Sequence, residues 1–266
     1  MKLHEHTTSL RASGGKALVA FLTAGYPDEE TFCELVRASS RAGCDVIEVG
    51  IPFSDPIADG PAIQASSGAA LNGGMTLARA LELSALLAPE LRSALVIMSY
   101  INPILRFGLE AFVAAAGRSG VTGIILPDVP VEESSEIRTV VHEGGLDYVD
   151  LLAPTSGKDR IARVASLAGG FLYLVSVTGV TGARHALSDD LPAFVERVRA
   201  ATDVPLYVGF GVSTEDQARQ VAQSADGVII GSRLVALIED AAQGTDAVTQ
   251  VESFLTRVRK TINDAV

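Results

Sequence analysis

Residues 17–49 read ALVAFLTAGYPDEETFCELVRASSRAGCDVIEV, and the order of residue types along that stretch decides the fold. Ala17–Thr23 is apolar almost throughout, without polar alternation, as in a strand covered on both faces. Gly25 and Pro27 then punctuate a turn, and Glu29–Ala42 sets Phe32, Leu35 and Val36 on one side of a helix. Val46–Val49 opens the next apolar run. Strand, turn, helix and strand in this order make a βα unit feeding a parallel neighbour.

The unit recurs. Further strand-like runs are Leu95–Tyr100, Gly123–Leu126, Tyr148–Leu152, Phe171–Val177, Pro205–Val208 and Gly227–Ile230. Amphipathic stretches fall between them at Leu77–Leu87, Leu109–Gly117, Glu132–Glu143, Asp159–Leu167, Leu191–Ala201, Thr214–Ala222 and Arg233–Ile238, and a last one covers Ala247–Ile262. Eight such units predict an α/β fold, a (β/α)8 TIM barrel in one domain over residues 1–266. An open doubly wound sheet is the rival, disfavoured by eight regular repeats and no GxGxxG. Met1–Ser13 is expected to add an N-terminal helix at the barrel bottom, and Pro52–Thr76 is long enough to hold a short helix of its own.

Composition narrows the class. The 266 residues are 48% hydrophobic and 20% charged, a globular mix, and no apolar run is long enough to span a bilayer. With 21 Lys and Arg against 32 Asp and Glu, the net charge of −11 argues against a nucleic-acid surface. The polar start MKLHEHTTSL predicts no secretory leader, and two cysteines without a CxxC fit the cytoplasm better than a disulfide or zinc scaffold.

Barrel active sites form where strands end at their C-termini. After the last three strands come TGVTGAR, GFGVS and GSR, so Gly182, Gly209, Gly211, Gly231 and Ser232 would offer backbone N–H groups to a phosphate. Tight turns account for the same glycines. Glu48 interrupts the run Val46–Val49 on the face shared with Val46; a carboxylate there is costly unless protonated, paired or functional, and desolvation would raise its pKa toward the proton-transfer range. Asp59 lies in the long loop near Asp55, where a turn or a site reads equally well. Schiff-base chemistry needs a lysine in the pocket, but Lys16 precedes the first strand, Lys2 and Lys260 are terminal, and Lys158 opens a helix. His4, His6, His142 and His185 are scattered, so no metal is expected. Carboxylate acid–base chemistry on a small phosphorylated substrate remains.

IEVGIPFSDPIADGPAIQ (Ile47–Gln64) closely resembles the signature of the tryptophan synthase α subunit family. FLTAGYPD (Phe21–Asp28), YINPIL (Tyr100–Leu105), LPDVPVEE (Leu126–Glu133), LAPTS (Leu152–Ser156), YLVSVTGVTGAR (Tyr173–Arg184), VGFGVS (Val208–Ser213) and ADGVIIGS (Ala225–Ser232) follow in the family's order. The resemblance implies retro-aldol cleavage of indole-3-glycerol phosphate to indole and glyceraldehyde 3-phosphate, with no metal or cofactor. It implies Glu48 as general acid–base and Asp59 as acceptor of the indole N–H. It further implies a pocket walled by Phe21, Met98, Tyr100, Tyr173, Phe210 and Ile229, with Thr181 on a lid reaching Asp59 and Gly182, Gly211, Gly231 and Ser232 on the phosphate. The lid would run from Thr178 to about Leu191, with Arg184 solvated on it. Ile101 stands where many members carry a second tyrosine.

The resemblance also implies docking on a pyridoxal-phosphate β subunit in an αββα complex, through the Ser54–Pro56 loop and the Asn102–Pro103 region, with the cofactor belonging to that partner. Neither nucleic acid nor membrane is expected as a partner. A stand-alone lyase releasing free indole would carry the same motifs. Intact Glu48 and Asp59 argue against a non-catalytic regulatory barrel, and the long Asp55–Asp59 loop against another phosphosugar enzyme such as an isomerase.

Overall fold

The computed structural model describes residues 2–175, 190–209, 211–241 and 246–265. Eight strands, β1 (Ala17–Thr23), β2 (Val46–Gly50), β3 (Ala94–Met98), β4 (Val121–Ile125), β5 (Asp147–Leu152), β6 (Leu172–Val175), β7 (Leu206–Gly209) and β8 (Gly227–Ile230), pair in parallel in chain order. The sheet closes where β8 pairs with β1. The helices are α1 (Leu3–Ala12), α2 (Glu29–Arg41), α3 (Pro61–Asn72), α4 (Leu77–Leu87), α5 (Ile101–Phe107), α6 (Leu109–Arg118), α7 (Ser135–Glu143), α8 (Lys158–Leu167), α9 (Leu191–Arg199), α10 (Glu215–Ser224), α11 (Ser232–Ala241) and α12 (Ala247–Asn263).

Strand periodicity splits the core into two. Leu18, Leu22, Ile47, Val49, Leu95 and Ile97 point outward and pack under the helices with residues such as Phe112 and Leu255. The alternate positions, Val19, Phe21, Val46, Val96, Met98, Ile125, Val149, Tyr173, Tyr207 and Ile229, fill the barrel itself. In its lower part Phe171 stacks on Tyr207 with ring centroids 4.4 Å apart. Glycine makes room for both that stack and the plug below: a Cβ on Gly227 would lie 2.6 Å from the Tyr207 ring, and one on Gly123 would lie 2.6 Å from Leu3.

Leu3 is fully buried at the floor, where α1 closes the barrel as expected. The Thr7 hydroxyl fastens the helix by donating to Gly170 O at 2.7 Å, and the His4 amide donates to Asp147 Oδ2 at 2.9 Å. At the opposite end the expected boundaries shift. β3 stops at Met98 rather than Tyr100, and α5 occupies a stretch that reads in sequence as loop. Pro103 is harmless there because it sits in the first helical turn, whose N–H groups have no partner within the helix. The helix expected from Glu132 begins at Ser135, and the one inside Pro52–Thr76 is a full 12 residues, opened by Pro61.

Candidate active site

Register sets the floor of the site. On β2, Glu48 lies between Phe21 of β1 and Val96 of β3, all three directed into the barrel. Its side chain is fully buried, and neither carboxylate oxygen has a hydrogen-bond partner among the described residues. Ionisation would leave an uncompensated charge in an apolar interior, so burial pushes its pKa up to about 8. Asp150, another buried acid, sits on the outer face of β5 and is paired with Arg138.

The loop between β2 and α3 supplies Asp59. The Asp59 amide donates to Pro56 O at 3.0 Å, and the Gln64 side-chain amide donates to Asp59 O at 2.9 Å. These bonds hold a buried carboxylate whose Oδ2 accepts from the Tyr100 hydroxyl at 3.1 Å. Burial raises the Asp59 pKa to about 6, and the bond from Tyr100 works against that rise. Tyr100 is therefore more than a pocket wall. Its oxygen also accepts from the Ala58 amide at 2.9 Å, and its ring stacks on Phe53 at 5.1 Å between centroids.

Tyr173 enters from β6 and is buried. Burial raises the pKa of its phenol well above the usual range, and the neighbouring Glu48 and Asp59 carboxylates raise it further, so the three groups share one site. Close approach of the aromatic rings requires glycine on two strands. A Cβ on Gly50 would come within 2.4 Å of the Phe21 ring, and one on Gly209 within 2.3 Å of the Tyr173 hydroxyl. Phe21, Asp59, Ile63, Ser67, Met98 and Tyr100 line a narrow cavity at this point. Ile229 faces inward from β8 below it.

Gly211 follows β7 at φ +88, a left-handed conformation that disfavours side chains, and Gly231 and Ser232 lie where β8 passes into α11. The structure thus brings Glu48, Asp59, Phe21, Met98, Tyr100 and Tyr173 together, and sets Gly211, Gly231 and Ser232 at C-terminal strand ends. Thr181, Gly182, Phe210, Arg184 and most of the expected lid lie outside the described residues.

Sequence reading missed Ile63 and Ser67, which come from α3, and the part played by Phe53. Strand alternation carries no signal for residues on a loop or helix. Lys16, by contrast, is at the floor as expected, donating to Ala225 O at 3.0 Å. Among the described residues, no group of three or more His, Cys, Asp or Glu is arranged to hold a metal ion, and no helix is long and apolar enough to cross a membrane.

A closed (β/α)8 barrel with desolvated carboxylates gathered at the mouth has the form of a barrel enzyme. The family model described as tryptophan synthase alpha chain matches residues 7–264. The chain is 46% identical over 259 residues to the tryptophan synthase alpha chain of Geobacter sp. (strain M21), covering 97% of each. It is 47% identical over 259 residues to that of Citrifermentans bemidjiense, again covering 97% of each. A solved structure of Mycobacterium tuberculosis tryptophan synthase superposes with a TM-score of 0.89 at 36% identity, covering 98% of this chain and 97% of that one. The tryptophan synthase subunit alpha of Legionella pneumophila str. Paris superposes with a TM-score of 0.91 at 32% identity, covering 99% of each. The chain belongs to the tryptophan synthase alpha chain family, lyases that cleave indole-3-glycerol phosphate in the α reaction of tryptophan biosynthesis.

Proposed function

We propose that Glu48 and Asp59 carry out this cleavage by acid–base catalysis. The observation that carries the reading is the Glu48 carboxyl, fully buried, without a partner among the described residues and raised to about 8. At neutral pH it is an acid, able to give its proton to C3 of the indole ring. The ring becomes an indolenine cation with its positive charge on nitrogen. Asp59, ionised above about 6, accepts the ring N–H and stabilises that charge. The Glu48 carboxylate then takes the proton of the hydroxyl on the carbon attached to C3. The carbon–carbon bond breaks, its electron pair returns to the ring as indole, and the hydroxyl carbon leaves as the aldehyde of glyceraldehyde 3-phosphate. The protonated ring is the electron sink, so the step needs no Schiff base.

Phe21, Tyr100, Tyr173, Phe210 and Ile229 would enclose the indole. Thr181 would contact Asp59, and Gly182, Gly211, Gly231 and Ser232 would bind the phosphate through backbone N–H groups, with Gly231 and Ser232 at the passage from β8 into α11. The whole chain acts as one catalytic domain, supported by closure of the sheet between β1 and β8 and by α12 packing on α2, α10 and α11. Free Cys33 and Cys44 suit a cytoplasmic enzyme.

A β subunit is the favoured partner. Ile57 in the Asp59 loop is 76% exposed, and Leu105 and Phe107 on α5 are 58% and 37% exposed, so apolar surface lies on the two elements that flank the mouth. The stand-alone reading shares the catalytic groups but gives this surface no use. Indole release from indole-3-glycerol phosphate tests both points. Glu48→Gln should lower turnover by about 10²–10⁴-fold while the fold persists; near-wild-type turnover would sink the assignment. Wild-type turnover should rise on adding a tryptophan synthase β subunit, and indifference to it would favour the stand-alone lyase.

A further inference from the structure

Asp128 lies in the loop after β4, remote in sequence from the catalytic loop. Both of its carboxylate oxygens accept from the backbone amide of Ile101 at 3.1 Å. Ile101 is the first residue of α5, and Tyr100 before it supplies no side-chain cap. A seven-residue helix has little stability of its own, and its first amides need acceptors from elsewhere. Asp128 is such an acceptor, and its charge suits the positive end of the helix. A second tie acts one step earlier: the Ser99 amide donates to Ile125 O at 3.1 Å, and the Ser99 hydroxyl donates to Tyr100 O at 2.9 Å. The backbone on both sides of Tyr100 is therefore fastened to the end of β4.

Tyr100 in turn grips the catalytic loop at three points, the Phe53 ring, the Ala58 amide and Asp59 Oδ2. The charges of Asp59 and Asp128 add to burial in raising its phenol pKa, so it stays protonated and remains a donor. We infer that Asp128 is a positioning residue of the active site: by holding the start of α5 it sets Tyr100 where its hydroxyl reaches Asp59. The inference rests on the catalytic reading of Asp59 given above. Asp128 itself touches no reacting atom in this scheme.

The test is a double-variant cycle on the full chain with Asp128→Ala, Tyr100→Phe and both together. Its readouts are the ¹³C titration of the Asp59 carboxyl and kcat and KM for indole release. Tyr100→Phe keeps the ring and removes the donor, so the Asp59 pKa should rise. Asp128→Ala should raise it in the same direction and lower kcat by about tenfold, with the double variant no worse than Tyr100→Phe alone. Removal of a nearby negative charge would by itself lower the Asp59 pKa, so a rise isolates the hydrogen bond. Asp128→Asn keeps one acceptor oxygen and should fall between the wild type and Asp128→Ala; it also serves if the alanine variant does not fold. An unmoved Asp59 titration in both Asp128 variants, or effects of Asp128→Ala and Tyr100→Phe that multiply in full, would overturn the inference. Asp59→Asn separates the two readings. Unchanged turnover there would remove Asp59 from the chemistry, while the titrations would still decide whether Asp128 positions it.

Discussion

At the floor of the barrel, acids at the N-terminal ends of strands are matched group by group. Asp45, just before β2, accepts from the Leu18 amide at 2.8 Å and faces Arg259 at 3.2 Å. Asp147, opening β5, faces His4 at 3.0 Å. Asp226, just before β8, pairs with Arg199, lies 3.6 Å from Arg11 and accepts from the Leu206 amide at 2.8 Å. At the mouth the same kind of side chain is handled in the opposite way. Glu48 has no partner among the described residues, and Asp59 has one phenol rather than a cation. Pairing lets an acid serve the fold at the floor. Its absence costs stability at the mouth and leaves a proton available near neutral pH.

The sharpest break in this contrast is Asp59→Asn. The shape is kept and the charge is lost, so turnover should fall by about 10²-fold or more, with melting temperature little changed. Steady-state indole release measures it, and a fall in melting temperature without a fall in rate would make Asp59 a floor-type residue. Asp226→Asn is the mirror experiment. It weakens the pair with Arg199 and should cost about 1–3 kcal/mol in denaturant unfolding while kcat stays within about twofold. A large loss of kcat in a folded variant would end the distinction between the two ends.

A smaller effect, with its sign fixed, concerns Glu48 and stability. Its folded pKa of about 8 lies above the ordinary 4.5. Between those values the unfolded chain ionises while the folded one stays protonated, so stability falls as pH rises through the window and the whole cost is carried above it. Glutamine does not titrate. Glu48→Gln should therefore gain in melting temperature relative to wild type from pH 5 to pH 8, by several degrees. A gap that stays constant with pH would show that Glu48 is not desolvated.

Much of this was legible in the sequence, for identifiable reasons. Each strand is buried on both faces, so β1 and β2 stand out as apolar runs, and a lone acid in Val46–Val49 is conspicuous. Alternation alone puts Glu48 on the inner face with Val46. Helix α5 was not legible. Asn102–Pro103 reads as a break, and the acceptor for its first amide, Asp128, arrives from another loop. The same long-range placement hid Phe53 and Ile63, because contacts between a loop, a helix and a strand end leave no periodic trace. Asp59 could be singled out only by the motif around it, since a loop aspartate near a glycine usually marks a turn.

Proton donation by Glu48 at neutral pH requires that the barrel hold its carboxyl as a neutral acid. The most direct measurement is a ¹³C titration of its side-chain carboxyl in the folded wild-type chain, assigned by comparison with Glu48→Gln. The expected midpoint is near 8, with the carboxyl protonated through neutral pH. A midpoint near the ordinary 4.5 would contradict it, leaving Glu48 ionised at neutral pH and the first proton of the reaction without a donor.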